Sequence, residues 1–327
     1  MRVSAVLPVL VTGILVGGPA TGYDGPFYQQ LALPVLRIAT NTEVVARATG
    51  IRLTRDRMEQ HYRIDSVASA ALPLWLYFPL EPIDRWHADN VDACGPGIAA
   101  DPLALTATMD GAPFPFSVDA RATFLGMDVS AHLAKAGLPL LPFGAETSAA
   151  LEKLAPDAKS DLAERGILTH WGPMWQLETA YAARFDFAAG AAHDLVVAYR
   201  PVFGEYVESL IMLDGKLTFG LDEESYDFLC LTEPQLQEID KRFAARKDEE
   251  PYRPYTIADI SMNLAAANEQ YGSIDDLDFT VETRKPSDIL ATCGGEFEKV
   301  GPTTYRWKAE FADEQPELKL FFLEAVE

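Results

Sequence analysis

The residues able to do acid–base, metal or nucleophilic chemistry are scattered along this chain rather than gathered into a motif. The five histidines, His61, His87, His132, His170 and His193, each stand isolated in the sequence. A general base or a metal site would therefore have to assemble in space, a histidine from one strand meeting a carboxylate from another. Without such a meeting, a lone histidine is a surface or packing residue. No G-x-S-x-G, H-E-x-x-H, G-x-x-x-x-G-K-S/T or G-x-G-x-x-G pattern occurs, which removes the usual signatures of hydrolases, metalloproteases and nucleotide or dinucleotide binders. Two acidic clusters, Asp222-Glu223-Glu224 with Asp227 and Asp275-Asp276 with Asp278, lack the ligand order and distant bidentate glutamate of a calcium loop. They read as solvated turns, and no metal or cofactor is expected. Paired carboxylates for sugar hydrolysis need a separation that only a structure supplies.

The most unusual local composition is His170-Trp171-Gly172-Pro173-Met174-Trp175. Tryptophan offers a large rigid surface with a polar handle, so His170, Trp171 and Trp175 are candidates for stacking a sugar ring or a peptide. The competing reading places Trp175 in the core at a strand start and Trp171 over a sheet edge, since large aromatic residues are usually buried. Tyr199 and Arg200, in Tyr199-Arg200-Pro201-Val202-Phe203-Gly204, complete the candidate binding surface; the same stretch is also what a strand end with a tight turn would use. No catalytic residue is singled out.

Three cysteines are present, Cys94, Cys230 and Cys293, with no C-x-x-C pair for zinc, haem or redox work. In an oxidising compartment two of them should pair. Cys230 with Cys293 is the choice, because both lie in the C-terminal half while Cys94 sits in a Gly/Pro-containing loop of the other half. Closing that loop would stabilise the fold by roughly 4 kcal/mol on the chain-entropy view.

The elements that must position these groups are mostly strands. Leu103, Leu105, Ala107 and Met109 alternate with polar or small residues, Asp110-Gly111 follows, and Phe114, Phe116 and Val118 alternate again, the pattern of a β-hairpin with a tight turn. Met58 to Val67 and Leu72 to Leu80 read as strands, with Pro73 and Pro79 pushing the second toward an edge. From 127 to about 167 the spacing turns helical, with Pro156 well placed at a helix start. Strands resume at Trp175 and Leu195, and Asp214-Gly215 marks a second hairpin. A helix is expected at about 234–246, with Thr232 as N-cap, followed by strands at Thr256 to Leu264, Leu277 to Thr283, Thr303 to Phe311 and Leu318 to Leu323. The fold class is mainly β, a β-rich α+β chain: two antiparallel sandwich-like lobes with an inserted helical segment and one further helix in the C-terminal half. The expected division is 1–22, 23–205 and 206–327.

Residues 1–22 read as a secretory signal peptide: Met1-Arg2, an uncharged run from Val3 to Gly18, and small residues at Ala20-Thr21-Gly22. The run is shorter than the roughly 20 apolar residues that span a bilayer, so no membrane span is expected after cleavage, and the periplasm or the exterior is the expected location. The chain of 327 residues carries a formal net charge of −22. A field of that sign repels phosphate backbones and anionic lipid, so no nucleic-acid partner is expected.

The landmarks fall in a recognisable order. Phe78-Pro79-Leu80, Val118-Asp119-Ala120-Arg121-Ala122, Trp175, Tyr199 to Gly204, Tyr226 to Cys230, and Cys293-Gly294-Gly295 followed by Pro302-Thr303-Thr304 resemble the bacterial exported family called domain of unknown function 4424, over nearly the whole chain after residue 22. The resemblance implies export and supports a Cys230 to Cys293 disulfide. It implies no activity, cofactor or substrate. The expected function is that of a non-catalytic binding or interaction module whose partner is a protein or glycan component of the envelope. The alternative is a periplasmic hydrolase with a histidine and a carboxylate brought together from distant strands.

Overall fold

The computed structural model describes residues 27–28, 33–38, 43–85, 103–206, 209–213, 216–220, 226–245, 254–263, 277–309 and 317–326. The expected signal peptide, His87, Cys94, Asp222 to Glu224, Asp275, Asp276 and the Asp214-Gly215 turn lie outside the described residues.

The strands run in chain order as follows: β1 (Phe27–Tyr28), β2 (Arg37–Ile38), β3 (Val44–Leu53), β4 (Met58–Ser66), β5 (Leu72–Pro79), β6 (Thr106–Met109), β7 (Ala112–Pro113), β8 (Ser117–Phe124) and β9 (Met127–Asp128). Three helices come next, α1 (Ser130–Ala136), α2 (Ala145–Glu152) and α3 (Pro156–Glu164), and then a small hairpin, β10 (Leu168–Thr169) with β11 (Gly172–Pro173). The long strands β12 (Gln176–Phe187) and β13 (Ala192–Tyr199) precede β14 (Gly204–Tyr206), β15 (Leu210–Leu213) and β16 (Lys216–Phe219). Helix α4 (Glu233–Ala245) leads into β17 (Tyr255–Asn263), β18 (Leu277–Glu282), β19 (Ile289–Cys293), β20 (Glu298–Lys299), β21 (Thr304–Ala309) and β22 (Glu317–Ala325). The chain is β-rich, as its period-2 patterning requires.

Three sheets carry the architecture. The largest has eight strands in the order β20-β21-β18-β3-β4-β13-β6-β7, and two five-stranded sheets run β2-β5-β12-β8-β9 and β1-β14-β17-β22-β19. Among the described strands, pairing is antiparallel except at β18 against β3, a parallel seam that joins strands more than 200 residues apart, and a single parallel bridge links Leu33 to Met262. Strands from both sides of the 205/206 point therefore share the large sheet. One continuous core takes Tyr62, Ile64, Leu195 and Phe279 from the large sheet, Leu76, Phe78 and Tyr181 from the first five-stranded sheet, and Ile260, Leu320 and Phe322 from the second. Burying each such side chain stabilises the fold by about 1.5–3 kcal/mol. The opposite face of β17 and β22 buries Ile257, Phe321 and Leu323 under α4 through Ile239 and Phe243. A third cluster packs Leu133 of α1 and Leu162 of α3 against Trp175.

The Asp110-Gly111 turn forms with positive φ at both residues, 52° and 79°, as a tight hairpin turn demands. Its second arm is shorter than expected. Ala112–Pro113 pairs with β6, Phe114 adds one more bond from its N–H to the Ala107 carbonyl at 2.9 Å, and the chain then crosses to the other sheet as β8. At α4, the N3 glutamine Gln235 accepts the Thr232 N–H through Oε1 at 2.8 Å, half of a capping box. Among the described residues, no helix is long and apolar enough to cross a membrane.

Candidate functional site

The aromatic segment occupies the tip and base of the β10–β11 hairpin. His170 and Trp171 form the turn, their rings 4.5 Å apart. Trp171 is 71% exposed, and its carbonyl accepts Arg85 Nη1 at 2.6 Å. Trp175 points the other way: it is buried, with Nε1 donating to the Leu140 carbonyl at 2.8 Å. Tyr199 is buried in the main core, where its hydroxyl accepts Gln60 Nε2 at 3.2 Å. Burial, with Tyr62 adding a little, pushes its phenol well above the usual tyrosine range. Gln60 also accepts from Tyr62 at 2.7 Å and donates to the Pro34 carbonyl at 3.0 Å, so the cluster is satisfied internally. Arg200 is exposed at the end of β13, and its backbone N–H bonds the Leu103 carbonyl at 3.1 Å. The fold thus keeps His170 and Trp171 together at the surface and places Trp175 and Tyr199 in two separate cores.

Among the described residues, two histidines meet carboxylates. His193 Nδ1 is 2.7 Å from Asp110 Oδ2, and Asp110 Oδ1 accepts the Asp194 N–H at 2.8 Å. A general base would need its second nitrogen aimed at substrate. Here His193 Nε2 is buried without a hydrogen-bond partner, and the ring packs edge-on against Phe185 and Phe187 at 4.8 and 5.8 Å. The pair clips the hairpin turn to the start of β13. His61 Nε2 meets Glu59 at 2.8 Å on the partly exposed face of β4. Among the described residues, no group of three metal-ligating side chains converges.

A concave feature that can hold a ligand lies elsewhere among the described residues. A groove of about 870 Å³ opens between the first turns of α4, the edge strand β19 with the turn before it, and the crossing from Gly295 to Lys299. Leu290, Phe297 and Tyr305 supply apolar wall, while Glu238, Glu296, Glu298 and Lys299 carry charge at its exposed margin. Its walls are braced. The Cys230–Cys293 disulfide ties the approach to α4 to the end of β19. Gln235 Nε2 donates to the Leu290 carbonyl at 2.7 Å, and Arg242 Nη2 to the Ser287 carbonyl at 2.7 Å, so helix side chains serve the free edge of β19 where a neighbouring strand would otherwise sit. Asp288, buried, accepts the Lys285 and Ala325 N–H groups at 2.8 and 2.9 Å. Lys299 Nζ rests 5.3 Å from the Tyr305 ring centroid and donates to the Pro286 carbonyl at 3.4 Å. Glu238 lies 3.8 Å from Lys241 Nζ and 4.0 Å from Arg242 Nε, so the excess negative charge at the margin comes from Glu296 and Glu298 against Lys299, a balance that favours an amine-bearing ligand.

Residues 30–320 match the family described as "Domain of unknown function (DUF4424)". The chain belongs to that family. The match takes in β2 to β21 and the first part of β22, with the disulfide and the groove, and so agrees with the order of landmarks from Phe78 to Pro302. Among solved structures, a Legionella pneumophila protein described as a "putative nutrient binding protein" is similar at 9% identity, with 90% of this chain and 73% of that chain covered and a TM-score of 0.44. No match was found among curated proteins.

Nothing in the local sequence marks the groove, apart from the Thr232 and Gln235 capping pair. Its walls come from segments some 60 residues apart, and Gln235, Glu238, Phe297 and Tyr305 have no shared spacing. The clip between Asp110 and His193 was equally invisible, since its two ends are 83 residues apart.

Proposed function

We propose that this DUF4424 chain is an exported, non-catalytic binding module of the cell envelope, and that its ligand site is the groove between α4 and β19 to β21. The observation that carries the reading is the groove itself: its volume lies in the range of small-molecule sites, and its walls are held by a disulfide and by side-chain bonds before any ligand arrives. The non-catalytic half rests on His193, whose free nitrogen is walled off by phenylalanine rings. Export rests on the pattern of residues 1–22 and on the disulfide, which persists in oxidising compartments.

Thermal-shift screening of the mature protein against amine-bearing, neutral and acidic small molecules tests the site. Amine-bearing compounds should raise Tm in wild type and do so less in Glu238→Gln/Glu298→Gln. A set of hits insensitive to that pair of substitutions would move the site elsewhere. Export is tested by the mass of the protein recovered from the periplasm, expected to begin at Tyr23.

A further inference from the structure

The outer face of the sheet β2-β5-β12-β8-β9 lies opposite its core-packed face, and none of its strands lines the groove. Along β5, Leu74, Leu76 and Phe78 face inward, so Trp75 and Tyr77 share the outer face, about 7 Å apart along the strand. Trp75 is 51% exposed. Arg37 of β2 sits opposite Tyr77, and β12 places Arg184 opposite Trp75 and Ala182 opposite Tyr77. Ser117 of β8 then lies opposite Ala182. The result is two aromatic rings flanked by two guanidinium groups, with a low floor of small side chains beside them. Arg184 Nε is 3.8 Å from Asp186 Oδ1, both largely exposed, and among the described residues no carboxylate pairs with Arg37. Asp186 offsets Arg184, and Asp119 lies two residues along β8 from Ser117 on the same face, so Arg37 supplies a local cationic spot on a chain of net charge −22.

We propose that this face binds a sparsely acidic polysaccharide, a chain in which carboxylate-bearing and neutral pyranose rings alternate. Pyranose rings present flat C–H faces that pack on exposed aromatic rings. Planar guanidinium groups take carboxylates bidentately. A flat platform without walls suits a polymer lying across the strands, whereas a compact ligand needs concavity. The low charge density of the ligand matters, because a polymer with one charge per unit would be repelled by the whole chain. Nucleic acid, which also stacks on aromatic rings and pairs with arginine, is disfavoured on that ground.

Isothermal titration of the mature protein with a hyaluronan hexasaccharide, which alternates glucuronate with N-acetylglucosamine, tests the proposal against chitohexaose and a thymidine oligonucleotide. The hyaluronan probe should bind saturably. Trp75→Ala should weaken it about tenfold, the equivalent of one lost stacking contact. Arg37→Ala with Arg184→Ala should reduce it to the level of chitohexaose. Trp171→Ala and Glu238→Gln, on other surfaces, should leave it unchanged, which separates this site from the groove. All five positions are exposed, and matching Tm values will confirm that the variants are folded. Absence of saturable hyaluronan binding, equal binding to the folded Trp75→Ala variant, equal affinity for chitohexaose in wild type, or tighter binding of the oligonucleotide would each overturn the proposal.

Discussion

Asp110 and His193 close a clip across 83 residues of chain, Oδ2 to Nδ1 at 2.7 Å, and it anchors the hairpin turn to β13. The imidazole N–H, followed by the Asp194 N–H, holds the Asp110 carboxyl below the usual aspartate range. A lowered folded-state pKa contributes stability that is present above the unfolded pKa and lost as pH falls through the folded one. Asp110→Ala should therefore cost about 1 kcal/mol at pH 7, a small figure because the carboxylate is half exposed. In urea titrations at pH 7 and pH 3, the gap between wild type and variant should narrow at the lower pH. A gap of unchanged size would show that the clip does not depend on the charge.

Asp259 behaves in the opposite sense. Burial pushes its carboxyl up to about 6, against the pull of Lys319 and Arg55. The native state then holds a proton that the unfolded state has released between roughly pH 4 and 6, so this group's contribution to stability falls as pH rises through that window. Asp259→Asn should raise stability at pH 7.5 by about 2 kcal/mol and change little near pH 4. Chemical denaturation of the two proteins at both pH values checks this, and equal stability at pH 7.5 would refute the raised pKa.

The Cys230–Cys293 disulfide spans 63 residues, a loop whose closure is worth about 4 kcal/mol on the chain-entropy view. Cys293→Ser should lower Tm, and amide exchange should quicken in α4 and β19 more than in β4 or β13, which sit in the other part of the core. Uniform quickening through all four elements would mean that the disulfide braces the whole molecule rather than the groove.

The two tryptophans of the β10–β11 region should separate cleanly. Trp175→Ala removes a buried indole and its bond to Leu140, at a cost of about 3–5 kcal/mol. Trp171→Ala, at an exposed turn, should change stability by no more than about 0.5 kcal/mol. Scanning calorimetry of both variants decides it, and similar losses would show that the hairpin tip is structural.

Much of this is readable in the chain itself, and the physical reason is range. The Asp110-Gly111 turn, the α3 start at Pro156, the α4 start after Thr232 and the alternation along β21 depend on backbone preferences and burial patterns within a few residues, so residue order alone determined them. The shortness of the first hairpin's second arm escaped because the chain leaves β6 after Phe114 and enters the other sheet as β8, a choice of sheet that the alternation of Phe114 and Phe116 does not encode. The choice of Cys230 and Cys293 as partners rested on their shared half of the chain.

The sequence by itself determined the local elements and their amphipathic faces, the absence of familiar catalytic motifs, the acidic charge and the likeness to its family. Only the tertiary structure decided which faces meet. The parallel pairing of β18 with β3, the meeting of His193 with Asp110, the burial of Tyr199, the groove under α4 and the outward row of Arg37, Tyr77 and Ala182 join residues 40 to 230 positions apart. Contacts over such distances are selected by packing the whole core at once, and no local spacing encodes them.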